Sequence, residues 1–291
     1  MANFILSAFA DEASGTLEGQ IDALKRNGIR WIEPRNVNGS LVEKTDAEFA
    51  TIGAVFKTAG IRVSSLGSPI GKYDIDKPFE DHLQTFRRAL RACEILGTRR
   101  MRMFSFFVPQ DRLAECRNEV LRRLRVLLDE AKAAGVTLCH ENESRIYGQN
   151  PAEVRDLLTS LPDLRGVFDP ANYVMNDQDP IEGIEAMLPS LEYLHIKDAI
   201  MAKKSIVPCG HGDGQIAEVL RRVDTARDGT VFLSVEPHLH IFDAYRQIDA
   251  HELKNEYSFE TADEAFDYAV TSLKETLQKI GYHEEDGIWK K

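Results

Sequence analysis

Residues 131–141 read AKAAGVTLCHE, and this segment shows the pattern from which the fold can be predicted. A helical segment stops at Gly135, and a short apolar strand follows at once and closes on Glu141. The same change from helix to strand occurs at three earlier glycines, Gly28, Gly60 and Gly97. Glycine directly after a helix adopts the left-handed conformation without a Cβ penalty. The spacing of these glycines, roughly thirty residues or slightly more, is that of one βα unit.

Applied along the chain, this rule predicts eight strands, near residues 4–10, 29–33, 61–67, 100–106, 136–141, 165–169, 191–196 and 231–236. Strands that alternate with helices pair in parallel. Eight strands, with no glycine-rich phosphate loop after the first, favour an α/β (β/α)₈ TIM barrel over an open doubly wound sheet. We predict one barrel domain over residues 1–291. The long segment at about 238–259 is predicted to form a lid, with a plain surface excursion as the alternative.

The charge of the chain limits its partners. Lys and Arg number 36 against 47 Asp and Glu, and the net charge of -11 disfavours nucleic acid and anionic membranes. A small neutral or metal-chelating molecule fits this charge better. Scattered cysteines, an N-terminus without a basic region and no apolar run of membrane-spanning length predict a soluble, cytoplasmic protein. Homo-oligomers are possible, and the composition does not decide whether they form.

Four consecutive predicted strands end on side chains that bind metals: Glu141, Asp169, His195 and Glu236. In a (β/α)₈ barrel the active site lies at these C-terminal strand ends. One such carboxylate alone is often only a helix N-cap or a solvated loop residue. Three carboxylates within a few ångström are costly unless a cation or protons neutralise them. We therefore predict one divalent metal ion, Mn²⁺ first, with Mg²⁺, Co²⁺ or Zn²⁺ possible.

Three stretches around these residues, FDPAN at 168–172, HIKD at 195–198 and EPHL at 236–239, resemble the xylose isomerase-like TIM barrel superfamily. Its members are sugar isomerases, epimerases and related dehydratases, and the similarity to its sugar phosphate isomerase/epimerase branch covers nearly the whole chain. The resemblance implies a metal held by Glu141, Asp169, His195 and Glu236, with the two glutamates as catalytic residues. It also implies a carbohydrate or polyol substrate and a role in carbohydrate metabolism.

A metal that chelates two neighbouring oxygens stabilises the enediolate formed when a carbon-bound proton is removed. Glu141 and Glu236 lie on predicted strands three apart, so they could transfer protons on opposite faces of a sugar. Candidate substrate contacts are Asn172 and Lys197, which stand where ketose 3-epimerases of the family usually carry His and Arg. Further candidates are His211 in a glycine-rich loop and the strand-end residues Glu33, Arg35, Ser68 and Arg102.

Three alternatives to an isomerase or epimerase stay open. The same enolate gives dehydration if it expels a β-hydroxyl, as in an inosose-dehydratase-like lyase acting on a keto-polyol. An abasic-site endonuclease would need more metal ligands and a basic groove, against which the charge of -11 argues. A non-catalytic carbohydrate-binding protein would not need ligand-type residues on four strands.

Overall fold

The computed structural model describes residues 1–240, 254, 255, 257 and 259–291. Its strands are β1 (Ala2–Ala8), β2 (Trp31–Ile32), β3 (Arg62–Val63), β4 (Leu66–Gly67), β5 (Arg100–Met103), β6 (Thr137–Glu141), β7 (Arg165–Phe168), β8 (Leu191–Ile196), β9 (Asp198–Ile200), β10 (Ser205–Val207), β11 (Gly229–Val235), β12 (Lys254–Asn255), β13 (His283–Glu285) and β14 (Ile288–Lys290). Most of the predicted lid lies outside the described residues.

The helices of the described part are α1 (Leu17–Arg26), α2 (Asp46–Ala59), α3 (Phe79–Leu96), α4 (Leu113–Ala133), α5 (Pro151–Ser160), α6 (Pro170–Met175), α7 (Pro180–Met187), α8 (Ile216–Ala226) and α9 (Ala262–Lys279). Their ends follow local sequence signals. Thr45 and Glu48 form a capping box at the start of α2, and Gly60 ends that helix with φ of 77°. None of the helices in this part is long and apolar enough to cross a membrane.

A parallel sheet runs in the order β1, β11, β8, β7, β6, β5 and β4. The short strands β2 and β3 pair with each other. Two backbone hydrogen bonds of 3.0 Å connect β2 to both sides: Glu33 donates to the Ala8 carbonyl, and Gly67 donates to the Pro34 carbonyl. With β3 and β4 as one interrupted strand, the sheet has eight parallel members. The prediction of a (β/α)₈ barrel is confirmed.

Several predicted strand bounds were wrong. The second strand, predicted at 29–33, is limited to Trp31–Ile32, since Pro34 follows and has no N–H for a ladder. The third, predicted at 61–67, divides because its first half pairs with β2 and its second half with β5. Two hairpins were not predicted: β9 with β10, and β13 with β14, of which β14 adds to β1 in antiparallel orientation.

The core has two parts, and the smaller one supports the site. The larger packs the inner helix faces against the outside of the barrel. The smaller contains Cys139, Val167, Tyr193 and Phe232 inside the barrel. Three of these lie two residues before Glu141, Asp169 and His195, so their side chains form the next layer down. The side chains at the strand ends therefore pack on a layer of buried side chains.

Candidate metal centre at the carboxyl ends of the strands

The four predicted metal-ligand residues meet at one end of the barrel. Glu141 closes β6, Asp169 follows β7, His195 lies near the end of β8, and Glu236 follows β11. Each offers a ligand atom that lies within 4.8 Å of the other three. All four are at most 2% exposed. The geometry thus gathers three carboxylates and one imidazole into a buried cluster, and their service as metal ligands stays a prediction.

The position of Asp169 follows from the start of α6. Its Oδ1 accepts a hydrogen bond of 3.0 Å from the Asn172 backbone N–H as the helix N-cap, and Pro170 occupies the first helical position. The Asn142 side chain holds the Asp169 backbone from both sides, accepting from its N–H at 3.0 Å and donating to its carbonyl at 2.9 Å. Oδ2 of Asp169 is left to face the cluster.

Arg102 and Asn172 fix the Glu141 carboxylate. The Arg102 guanidinium donates to Oε2 at 2.9 Å, and the Asn172 amide donates to Oε1 at 3.2 Å. The guanidinium also lies over the rings of Phe9 and Phe104, at 5.2 and 4.8 Å from their centroids. These two predicted substrate contacts therefore reach the cluster, and in this structure they bind one of its carboxylates.

Arg35 connects Glu236 to two acidic residues that follow β1. It donates to Glu236 Oε1 at 2.9 Å, to both Asp11 oxygens at 3.0 Å and to Glu12 Oε1 at 3.3 Å. Glu12, Glu236 and His238 form a second group of ligand types that shares Glu236 with the first. Because the Arg35 guanidinium lies against two of its carboxylates, this group already contains a cation.

Lys197 reaches the cluster directly. Its Nζ lies 2.9 Å from Asp169 Oδ2 and 3.5 Å from Glu236 Oε2. Both carboxylates raise the pKa of this lysine well above its usual range although burial opposes the charge, so it is an ammonium at neutral pH. A cation is thus in ion-pair contact with two of the four predicted ligands.

His195 lies between carboxylates on both sides of its ring. Nδ1 is 3.2 Å from Glu141 Oε1 and 3.5 Å from Glu236 Oε2, whereas Nε2 is 3.3 Å from Glu33 Oε1. Glu33, a predicted substrate contact, is completely buried on the far side of this ring. Burial lowers the pKa of His195, but Glu141 and Glu33 outweigh it and raise the pKa to about 10.

The carboxylates of the cluster differ in their proton affinity. Burial opposes ionisation of Glu141 and Glu236, but neighbouring cations hold the pKa of each well below its usual range: His195 and Arg102 for Glu141, Lys197 foremost for Glu236. Burial instead dominates at Asp169 and raises its pKa to about 7, with Lys197 acting in the opposite direction. The two glutamates are therefore ionised at neutral pH.

The two remaining predicted contacts lie apart from these interactions. Ser68 is buried after β4 and donates to the Arg102 carbonyl at 2.5 Å, so it supports the strand that carries Arg102. His211 is exposed, and its Nδ1 lies 3.0 Å from the Tyr257 hydroxyl. The glycine-rich loop that carries His211 is held by Asp198, whose carboxylate accepts hydrogen bonds from the N–H groups of Ala199, Gly210, Gly212 and Gly214.

Sequence reasoning missed several residues of the site: Asp11, Glu12, Asn142, Tyr193, Ser234 and His238. Asp11 and Glu12 follow the first strand, so the rule applied to the last four strands would have found them. Tyr193 and Ser234 are internal strand residues, and only their pairing with Glu33 across the barrel reveals them.

A parallel barrel with a buried group of carboxylates and an imidazole at its C-terminal strand ends has the architecture of a barrel enzyme. The chain belongs to the xylose isomerase-like TIM barrel family, whose model matches residues 21–283. No curated protein sequence matches it.

Solved structures of the same fold cover nearly the whole chain. The IolI protein with a bound zinc atom is 16% identical, with a TM-score of 0.73 over 95% of this chain and 99% of that one. D-Psicose 3-epimerase from Clostridium cellulolyticum H10, solved with D-tagatose, is 15% identical, with a TM-score of 0.68 and the same coverage. The probable 3-DHS dehydratase AsbF from Bacillus anthracis is 13% identical, with a TM-score of 0.70 over 94% and 99%.

Proposed function

We propose that this chain is a metal-dependent isomerase or epimerase of a small sugar or polyol. The observation that carries the proposal is the buried cluster of Glu141, Asp169, His195 and Glu236, whose ligand atoms lie within 4.8 Å of one another. Epimerases of the same fold, such as the D-psicose 3-epimerase named above, support this reaction class. The cytoplasm as location and association into homo-oligomers stay predictions.

The chemistry of the cluster fits a divalent cation. Asp169 Oδ2, His195 Nδ1 and Glu236 Oε2 are buried without a hydrogen-bond partner, although Lys197 Nζ is in ion-pair contact with the two oxygens. Buried polar atoms without hydrogen bonds are costly. A divalent cation would bind the two oxygens beside Lys197, and the imidazole nitrogen after its proton is released. Carboxylates with one imidazole suit Mn²⁺ first, and Mg²⁺, Co²⁺ or Zn²⁺ also accept such ligands.

Glu141 and Glu236 are proposed as the acid–base pair. Both carboxylates are ionised at neutral pH, and each is held by an arginine at 2.9 Å, Arg102 or Arg35. One accepts the proton from the carbon beside a carbonyl or hydroxyl and then releases it to solvent. The other takes up a proton from solvent and returns it to the opposite face or to the neighbouring carbon. A bound divalent ion supplies Lewis-acid stabilisation of the negative charge of the enediolate.

Dehydration of a keto-polyol is the second candidate, favoured by the similarity to the probable dehydratase AsbF. Here one carboxylate removes the proton beside the carbonyl. The β-hydroxyl then leaves as water after accepting a proton from a second group, and a carbon–carbon double bond forms. The first half of this reaction is the same as in the isomerase. The product therefore separates the two candidates.

The test combines deuterium exchange with turnover. Sugars and polyols are incubated with Mn²⁺-loaded protein in deuterated water, and NMR detects both exchange of carbon-bound hydrogen and the product. Glu141→Gln and Glu236→Gln keep an oxygen and the side-chain volume but remove the proton acceptor. Loss of a positioned base lowers turnover by roughly 10²- to 10⁴-fold. We expect one variant to retain exchange without forming product, since abstraction and return are separate steps.

Glu143→Gln is the matched control, because it makes the same chemical change two residues from Glu141 at a half-buried side chain paired with Lys72. Metal content is measured in every variant. Near-normal turnover in either glutamine variant of the pair would show that its carboxylate acts only as a ligand. Absence of exchange with every substrate, together with absence of bound metal, would refute the proposed function.

A further inference from the structure

The Glu33 carboxylate lies inside the barrel, on the side of His195 away from the other ligand residues. Its backbone N–H donates to the Ala8 carbonyl at 3.0 Å, which fixes the end of β2 against β1. Its side chain is completely buried. An ionised carboxylate at such a place needs donors around it.

Donors from two other strands surround this carboxylate. The Tyr193 hydroxyl donates to Oε1 at 2.6 Å, and the Ser234 hydroxyl donates to Oε2 at 2.6 Å. Tyr193 also lies 3.1 Å from the Ser65 hydroxyl, which can donate to it in turn. These contacts keep Glu33 an acceptor for the third group, His195.

The imidazole of His195 is held by contacts at its nitrogens and at its ring. Nε2 lies 3.3 Å from Glu33, while Nδ1 faces Glu141 and Glu236 and has no hydrogen-bond partner. The ring plane is fixed by edge contacts with Phe9 and Tyr193, whose ring centroids lie 5.0 and 5.5 Å away. A 180° flip of the ring about its Cβ–Cγ bond would turn a carbon of the ring toward the cluster and leave Glu33 without its nitrogen donor.

We propose that Glu33 is a positioning residue, which holds His195 through Nε2–H and thereby directs Nδ1 into the metal centre. That Nδ1 binds the metal rests on the proposed function, whereas the hydrogen bond from Nε2–H to Glu33 does not. A carboxylate behind a histidine ligand fixes its tautomer and raises its basicity. Glu33 therefore acts from beneath the metal centre, and the substrate has no need to touch it.

The charge of Glu33 is part of this role. A hydrogen bond to an ionised acceptor is roughly twice as strong as one between neutral groups. Glu33→Gln keeps the volume but substitutes a neutral amide, whereas Glu33→Asp keeps the charge and shortens the side chain. We expect Glu33→Gln to bind Co²⁺ about 10- to 100-fold more weakly than the unchanged protein. Glu33→Asp is expected to lie between them.

Ser234→Ala is the matched control for these variants. It removes one donor to the same carboxylate but leaves the contact with His195, so its effect on metal affinity is expected to be smaller than that of Glu33→Gln. Melting curves with chelator compare the stability of the metal-free proteins. Co²⁺ affinity is read from visible absorption, which does not depend on enzyme activity.

Nitrogen NMR identifies the nitrogen directly and needs no variant of Glu33. Protein labelled with ¹⁵N-histidine is loaded with ¹¹³Cd²⁺, and the His195 signals are assigned by comparison with His195→Asn. We expect ¹¹³Cd–¹⁵N coupling at Nδ1 and a slowly exchanging proton on Nε2. Coupling at Nε2 would overturn the proposal, as would unchanged Co²⁺ affinity together with an unchanged Nε2–H signal in Glu33→Gln.

The metal-free protein separates this proposal from the proposed function. If the unchanged protein bound neither Co²⁺ nor Cd²⁺, the metal centre would be refuted. The Nε2–H signal of His195 would still test Glu33 under those conditions. Loss of the signal in Glu33→Gln would support its hold on His195, and persistence of the signal would overturn it.

Discussion

Replacement of Asp169 distinguishes its predicted role in metal binding from its structural role. The side chain caps α6 through Oδ1 and faces the cluster through Oδ2, 2.9 Å from Lys197. Asp169→Asn keeps an oxygen for the cap and removes the charge, whereas Asp169→Ala removes both oxygens. The two variants should therefore differ in metal-free stability while both lose metal binding.

The expected size of the metal effect follows from linkage. Divalent metal at a hundredfold excess over its Kd stabilises the native state by about 2.7 kcal/mol. For 291 residues the unfolding entropy is about 0.6 kcal/mol per kelvin, so Tm should rise by about 4 °C. A ligand loss that weakens Kd about 100-fold leaves only about 0.4 kcal/mol at the same metal concentration. Asp169→Asn should then show a Tm shift below about 1 °C.

Metal-free stability should separate the variants. Asp169→Ala loses about 1 kcal/mol from the cap. Both variants deprive the buried Lys197 of its nearest anionic partner, so the Tm of Asp169→Ala should lie about 2 °C below that of Asp169→Asn because of the lost cap. Burial raises the pKa of Asp169 to about 7, so the neutral acid, which Asn resembles, is already abundant at neutral pH. Asp169→Asn should consequently lose less stability at that pH than removal of a fully ionised partner of Lys197 would cost.

The pH dependence gives an independent check with chelator present. A carboxyl whose pKa is raised in the folded state loses stabilising effect as pH rises from its ordinary value through the folded value. The unchanged protein should therefore lose stability relative to Asp169→Asn between about pH 4 and 7. Melting curves with Mn²⁺ or with chelator measure the Tm of the metal-loaded and metal-free proteins at each pH. Equal metal-induced shifts in Asp169→Asn and the unchanged protein would refute Asp169 as a ligand.

Three further predictions concern other residues. Burial lowers the pKa of His195, but Glu141 and Glu33 raise it to about 10, so Mn²⁺ uptake at pH 7 should displace the proton of this imidazole. Calorimetry in two buffers of different ionisation enthalpy would show at least one proton released. Asp198→Ala leaves the N–H groups of the glycine-rich loop without their acceptor and should lower the free energy of unfolding by about 3 kcal/mol in urea titrations. His211→Ala should leave Co²⁺ affinity unchanged, since this exposed ring contacts Tyr257; a tenfold loss would place it at the metal centre.

The fold could be predicted because its signals are local. Glycines after helices, such as Gly60 and Gly97, mark four of the passages from helix to strand, and these two adopt positive φ. The final hairpin also had a local signal: Asp286-Gly287, with φ of 53° and 82°, is a favoured two-residue hairpin turn. The barrel prediction did not use it. By contrast, the pairing that divides the third strand depends on its neighbours and leaves no local trace.

The site could be predicted only where it follows strand order. Each of Glu141, Asp169, His195 and Glu236 ends or follows a predicted strand, so parallel pairing alone gathers them. The position of Glu33 behind His195 depends on side-chain direction within the barrel, which the order of strands does not specify. The same is true of Asn142, whose amide holds the Asp169 backbone.

The pairing of β1 imposes an order on folding during synthesis. β1 pairs with β11, which begins at Gly229, and with β14, where Phe4 faces Trp289. A ribosome that adds about 5–20 residues per second needs on the order of ten seconds or more to reach those partners. Until then the apolar strand Phe4-Ile5-Leu6 has two open edges, which other nascent chains can join. We expect the barrel to close last at its first strand, and newly made chains to depend on shielding by chaperones until it does.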